Sequence, residues 1–396
     1  LRSEKRSWHG WNDRFWGLLF ETMWVSATYI CPVRGLADLA PPDPAYLGRN
    51  ARIARSLGLD RLMIPVLEES LLRADRHKVR FLDGLIRGLN RAEDAGMSIQ
   101  LMASAQRILG VDWVAPYLVR GSPDSRTAPV FVDGALRTLR PFPWWTDPSI
   151  IGKRLECLRE LAAALSGHPA LSGWMIMDRA LEWPRPDPQL ADLVLKSYCG
   201  GIRAHDEAIE ICLSLGVSGL LHPQMIQMLA PQVDTLYLRG VENGLDGWKR
   251  RCDPAEEISL AAYLCSMGHW LFGKQVSPEI GWAMMTDRGL GEETLASVSV
   301  LARQESPGVT WLNLIDPENS LLSRPPWNLR PGLGETGLLD RGGDPKEGVE
   351  TLIREIRSDP RKGMKPDFID IEENEYLADP ETHLRRLWDH FREATE

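Results

Sequence analysis

The sequence predicts an α/β chain folded as a (β/α)8 TIM barrel, with an aromatic-rich extension before it and an acidic, helical one after it. Three observations predict this. Eight apolar runs of strand length recur along the chain, continuous rather than alternating, as expected of parallel strands buried on both faces. Patterns of helical period lie between them. The first run is followed by "CPVRGLADLAPP", which is not the glycine-rich phosphate loop that an open doubly wound sheet would carry there.

The strand candidates, in order, are "ATYICPV", "LDRLMIPV", "MSIQLMAS", "LSGWMIM", "AIEICLSL", "VDTLYLRG", "KQVSPEIGW" and "GVTWLNLID". The clearest helix follows Asp147-Pro148, where Ile151, Leu155, Leu158, Ala162 and Leu165 step by four and three along one face. An aspartate followed by proline is an N-cap with proline at the first helical position. The same start recurs at Asp43, Asp187, Asp253, Asp344 and Asp379, and Glu256 and Glu347 stand where two capping boxes would place them. The expected division is 1–26 as an extension packed on the barrel, 27–360 as the barrel, and 361–396 as an acidic segment. That last segment ends in a helix with Leu384, Leu387, Trp388 and Phe391 on one face. The helix is expected to pack back on the barrel, the sharper alternative being a protein partner or self-association through it.

Composition narrows the function. With a net charge of −9 a strongly basic face is not expected, nor is nucleic acid as a partner. No run of about 18 apolar residues is present, so no membrane span is expected. The six cysteines form no C-x-x-C pair and sit near no metal-spaced histidine, so they are expected to be reduced and mostly buried. The chain begins at Leu1, which leaves a soluble secreted and a soluble cytoplasmic location equally open. Tryptophan is abundant at 15 residues, and indole faces stack on pyranose rings as well as filling cores.

In such a barrel the chemistry sits at the C-terminal ends of the strands. The polar residues there are Glu68 and Glu69, Ser104 and Gln106, then Asp178, Arg179 and Glu182. They continue with Tyr237 and Arg239, Glu279 and Trp282, and finally Asn313, Asp316 and Glu318. Carboxylates outnumber histidines, and no histidine trio or two-histidine carboxylate set appears, so no metal and no other cofactor is expected. No G-x-S-x-G elbow marks a serine hydrolase. Carboxylates in an aromatic cleft suit glycoside hydrolysis, where one acid protonates the leaving oxygen and a second carboxylate attacks the anomeric carbon or activates water. Trp282, Trp311 and Trp327 are the candidate sugar platforms. Glu68, Arg179, Tyr237, Arg239 and Asn313 are candidate saccharide contacts. Trp174 is expected to be packing, and Asp316 to fix a loop. A structural alternative pairs Asp178 with Arg179, and Arg179 with Glu279, in an ion network.

Three segments resemble the clan A retaining glycoside hydrolases, the superfamily of cellulases, mannanases and β-galactosidases. "SGHPALSGWMIMD" resembles the segment that brings the acid/base glutamate to the end of strand 4 as "GWxxxNE". "GKQVSPEIGW" resembles the strand 7 segment that carries the nucleophile, and "GVTWLNLIDPENS…GETGLLDRGGDPKEGVETL" resembles the strand 8 end and the loop after it. The resemblance runs from about Tyr29 to Ile356 and keeps the strand order. It implies a protein acting on β-linked saccharides by retention, with Glu279 as nucleophile. The Asn-Glu pair is replaced by Asp178-Arg179, and an arginine does not give up a proton at neutral pH. Asp178 or Glu182 would then be the acid/base. The alternative is a catalytically lapsed barrel that binds glycan or scaffolds a partner.

Overall fold

The computed structural model describes residues 23–36, 40–72, 75–103, 107–109, 111–120, 128–132, 135–141, 144–178, 185–241, 245, 253–281, 292–302, 306–329, 332–358 and 367–395. Its centre is a closed barrel of eight parallel strands: β1 Trp24–Thr28, β2 Arg61–Val66, β3 Ser98–Ala103, β4 Leu171–Ile176, β5 Glu210–Gly216, β6 Thr235–Arg239, β7 Val276–Ile280 and β8 Gly308–Trp311. Each strand pairs with its sequence neighbours, and β1 closes on β8 with Val25 opposite Val309. Seven of the predicted strands fall on these elements, and the first overlaps β1 only at Ala27 and Thr28. The first is displaced: it starts at Trp24, inside the stretch expected to be an extension, and 1–22 lie outside the described residues.

Helices follow the strands in turn: α1 Pro44–Ser56, α2 Asp75–Asp94, α3 Pro148–Leu165, α4 Pro188–Arg203, α5 Pro223–Leu229, α6 Pro254–Phe272, α7 Glu292–Ala302 and α8 Val349–Ser358. Asp43, Asp147, Asp187 and Asp253 cap α1, α3, α4 and α6 as expected, each accepting from one or two backbone N–H groups of the first turn. Asp344-Pro345 does not start a helix. Pro345 bridges back to Leu339, Asp344 N–H donates to Asp340 Oδ1, and α8 begins only at Val349.

Alternation along the strands divides the side chains into two layers. Val25, Leu62, Leu101, Trp174, Ile211, Leu236, Val276 and Val309 face outward and pack in one cluster with the helices. Met63, Met102, Met175, Cys212 and Tyr237 face inward and form a second cluster. The interior also holds polar groups that satisfy one another. Tyr237 Oη donates to Gln100 Oε1 at 3.1 Å and accepts from Thr310 Oγ1 at 3.2 Å, while Thr310 and Ser26 hydroxyls lie 2.7 Å apart. Trp24 stacks on Tyr237 at the floor, with the Arg61 guanidinium 4.4 Å from the indole centroid and bound to Glu210 at 2.8 Å.

Two departures from an ideal barrel shape the mouth. Between β3 and α3 the chain makes an excursion of five short strands in a small separate sheet, with Trp113 and Phe131 rings 4.2 Å apart. After β8, Asn313–Ile315 leaves the barrel and pairs in parallel with Gly337–Leu339. The terminal helix, Pro380–Thr395, folds back on α6. Tyr263 Oη donates to the Leu384 carbonyl at 2.5 Å, and its ring packs against Phe368, Trp388 and Phe391. Leu384, Leu387 and Phe391 are buried there, so the face considered for a partner is covered by the chain itself. Cys31, Cys157, Cys199, Cys212 and Cys265 are buried and unbridged, and Cys252 lies outside the described residues. No described helix is long and apolar enough to cross a membrane.

Candidate functional site

Three strand ends deliver one ion cluster. Asp178 follows β4, Arg239 ends β6 and Glu279 lies near the end of β7. Arg239 Nη1 donates to Asp178 Oδ1 at 2.6 Å. On its other side Arg239 Nε donates to Glu279 Oε2 at 3.1 Å, with Nη2 3.0 Å from the same oxygen. Ser214 Oγ on β5 donates to Asp178 Oδ1 at 3.1 Å, and Arg239 Nη1 also reaches Met102 Sδ at 3.4 Å. All three charged side chains are buried: Asp178 at 0%, Arg239 at 3% and Glu279 at 3% exposure. Burial alone would lower the pKa of Arg239, but the charges of Asp178 and then Glu279 outweigh it and raise the value.

The local sequence explains the placement. Two inward positions on β6, Tyr237 and Arg239, are separated by the outward Leu238. On β7 the outward Val276 and Ile280 leave Glu279 pointing in. Gly281 then carries the chain away at φ 116°, where a Cβ would meet the Trp311 ring at 2.9 Å. Its N–H is held by Glu257 Oε1 of α6 at 3.0 Å, so a buried helix carboxylate fixes the end of β7. Around the cluster the apolar inner group continues upward from Met102 and Met175 through Leu109, Trp113 and Phe131 of the excursion to Trp327 and Leu333 of the loop after β8.

The predicted site residues separate accordingly. Asp178, Arg239 and Glu279 come together. Tyr237 is inside the barrel, fully buried on Gln100 and Thr310, one inward position below Arg239. Trp311 faces outward, its Nε1 donating to the Thr336 carbonyl at 2.9 Å, so it presents no platform to the mouth. Asn313 is buried, its amide donating to the Ile315 carbonyl at 2.6 Å. Trp327 is buried in the inner cluster with the roof of the mouth. Glu68 turns outward to the helix layer, 3.0 Å from Arg154 Nε of α3, whose guanidinium stacks 3.9 Å over Trp144. Arg179, Glu182 and Trp282 lie outside the described residues. Asp316 fixes a loop, accepting from Gly337 N–H at 2.8 Å and pairing with Lys346 at 2.7 Å. Sequence reasoning missed Ser214, Met102 and Glu257. The first two follow from inward spacing once β5 and β3 are in register. Glu257 is marked only by its place among the buried positions of α6. Among the described residues no group of three His, Cys, Asp or Glu could hold a metal ion.

No protein-family model matches the chain, and no curated protein matches it by sequence. Solved structures do. GH5_18 from Streptomyces cattleya, in complex with GlcNAc, is 17% identical with a TM-score of 0.65, over 85% of this chain and 80% of that one. GH5_18 from Bifidobacterium longum subsp. infantis is 16% identical with a TM-score of 0.66, over 86% of this chain and 80% of that one. The exo-beta-1,4-mannosidase Op5Man5 from Opitutaceae bacterium strain TAV5 is 16% identical with a TM-score of 0.63, over 85% of this chain and 60% of that one. The chain therefore has the fold of the clan A glycoside hydrolases. At this identity the likeness concerns the fold and not the chemistry.

Proposed function

We propose that the chain binds a β-linked saccharide at the mouth of its barrel and does not hydrolyse it. One observation carries this: the Arg239 guanidinium lies between Asp178 and Glu279, bound to both. Retention needs the scissile bond between a protonated acid and a nucleophilic carboxylate, and its transition state gains positive charge at the sugar. A fixed cation between the two carboxyls opposes that charge. In this pairing Asp178 Oδ1 accepts from both Arg239 Nη1 and Ser214 Oγ, so that oxygen is engaged as an acceptor rather than aimed as a donor at a leaving group. With an arginine at position 179, where the acid/base glutamate would stand, a proton donor would have to come from elsewhere, and Glu182 is the next carboxyl along the chain.

The second reading is retaining hydrolysis with Glu279 as nucleophile and Glu182 as acid/base. The observation in its favour is that Arg239 pairs with the charged form of Glu279, the form a nucleophile needs. The GlcNAc bound to the Streptomyces protein and the name of the Opitutaceae enzyme suggest the first probes, GlcNAc and β-1,4-mannosides. Titration of these probes, followed by tryptophan fluorescence and calorimetry, is expected to show saturable binding with no product by chromatography. Product formation that Glu279→Gln abolishes would establish the second reading. No binding across the panel and no product would reject both.

A further inference from the structure

Strand β4 breaks its own alternation one residue before the site. Met175 faces into the barrel, and Trp174 and Ile176 face out. Continued alternation would turn Met177 inward and send Asp178 out toward the helices. The opposite is found. Met177 packs in the outer cluster at 2% exposure, while Asp178 reaches Ser214 Oγ and Arg239 Nη1 inside. The reversal is located at Met177 itself, whose φ is 55°. A side chain with a Cβ rarely adopts this left-handed conformation, and such strain persists only where the surroundings enforce it. Leu109, in the excursion, is the other non-glycine residue with positive φ among those described. Strands β6 and β7 have no such break, because Arg239 and Glu279 already fall on inward positions.

We propose that Met177 is the positioning residue of the mouth: its left-handed backbone turns Asp178 inward and thereby sets Arg239 between two carboxylates. Without the turn Asp178 would enter the apolar layer under the helices, and Arg239 would keep Glu279 alone. That a saccharide occupies this mouth rests on the function proposed above. The turn and its consequence for Arg239 do not.

The test compares Met177→Gly with Met177→Ala. Both remove the buried side chain, and they differ only in a Cβ that the left-handed backbone disfavours. The glycine variant is expected to melt above the alanine variant, by roughly 2 °C for a chain of this size. At Met175, a regular strand position, the order is expected to reverse, with alanine above glycine. A readout of position rather than stability is the Arg239 Nη1–H signal in 15N-labelled protein, the group that donates to Asp178, assigned by its loss in Arg239→Lys. It is expected to keep its shift in Met177→Gly and to move or vanish in Met177→Val, because a β-branched residue resists positive φ. Alanine melting at or above glycine at 177 would overturn the proposal, as would an unmoved Arg239 signal in a folded Met177→Val protein. If Met177→Val does not fold, the glycine and alanine order still decides. Wild-type protein that binds no saccharide bears on the function alone and leaves the order at 177 to judge the turn.

Discussion

Asp178 on the β4 end and Glu279 on β7 are joined through one guanidinium, with Arg239 Nη1 2.6 Å from Asp178 Oδ1 and Arg239 Nε 3.1 Å from Glu279 Oε2. Three strands of the barrel are thereby tied together at the mouth by groups that carry charge in a buried setting. Such a cluster is held by its completeness, since removing one member leaves the others charged and dry.

Arg239→Met tests that directly. It leaves two buried carboxylates facing each other, and a loss of about 3–5 kcal/mol is expected in urea denaturation at neutral pH. Arg239→Lys keeps the charge but not the fork, so it should fall between. An Arg239→Met protein as stable as wild type would mean that the cluster does not bind the strands together.

Glu68 and Arg154 form a second buried pair, outside the mouth. Burial, with the Glu68 charge adding to it, pushes the neighbouring Tyr117 hydroxyl upward. Glu68→Ala leaves Arg154 unpaired and should cost about 3–5 kcal/mol, whereas Glu68→Leu with Arg154→Met together should cost much less. Saccharide affinity should not change in the folded double variant. A double variant that loses affinity would return Glu68 to the mouth.

Burial raises the carboxyl pKa of Asp316 above its ordinary 3.8, against the pull of Lys346. Between the unfolded and the raised folded value the native state holds more protons than the unfolded chain, so stability falls as pH rises through that window. The fall should begin near pH 4 and disappear in Asp316→Asn. Denaturation midpoints across the acidic range check the sign. A rise with pH that is specific to wild type would contradict it.

Phe391 anchors the terminal helix against Tyr263 at a ring distance of 5.6 Å and is buried at 1% exposure. Phe391→Ala should cost about 3–5 kcal/mol, as for other large core residues. Faster proteolysis of 380–395 in that variant would show that the tail is part of the barrel's packing.

The barrel was legible because strands buried on both faces read as continuous apolar runs; seven of the eight runs fall on their strands, and the first overlaps its strand only at Ala27 and Thr28. The excursion after β3 was not, because three of its strands are only two or three residues long and the longest, "ALRTLRP", is broken by two arginines. The one signal there is the Asp133-Gly134 pair between "APVFV" and "ALRTLRP", a hairpin dipeptide. For the site, finding the strand was enough for Arg239 and Glu279, whose positions are inward by simple alternation. A shift of one residue changes the face, which is why Trp311 lies outside the barrel. A shift of two changes the layer, which puts Tyr237 below the mouth. Asp178 points inward only through the turn at Met177, and no periodicity shows such a turn.

In the proposed function the mouth holds a saccharide while Arg239 keeps Asp178 and Glu279 from acting on it. The most direct test is incubation of the protein with activated 2-fluoro β-glycosides, read by intact mass, beside titration of the parent sugars. Saturable binding of a parent sugar with no mass increase is the predicted result. A covalent glycosyl adduct that maps to Glu279 and is absent from Glu279→Gln would contradict it and make the protein a retaining hydrolase.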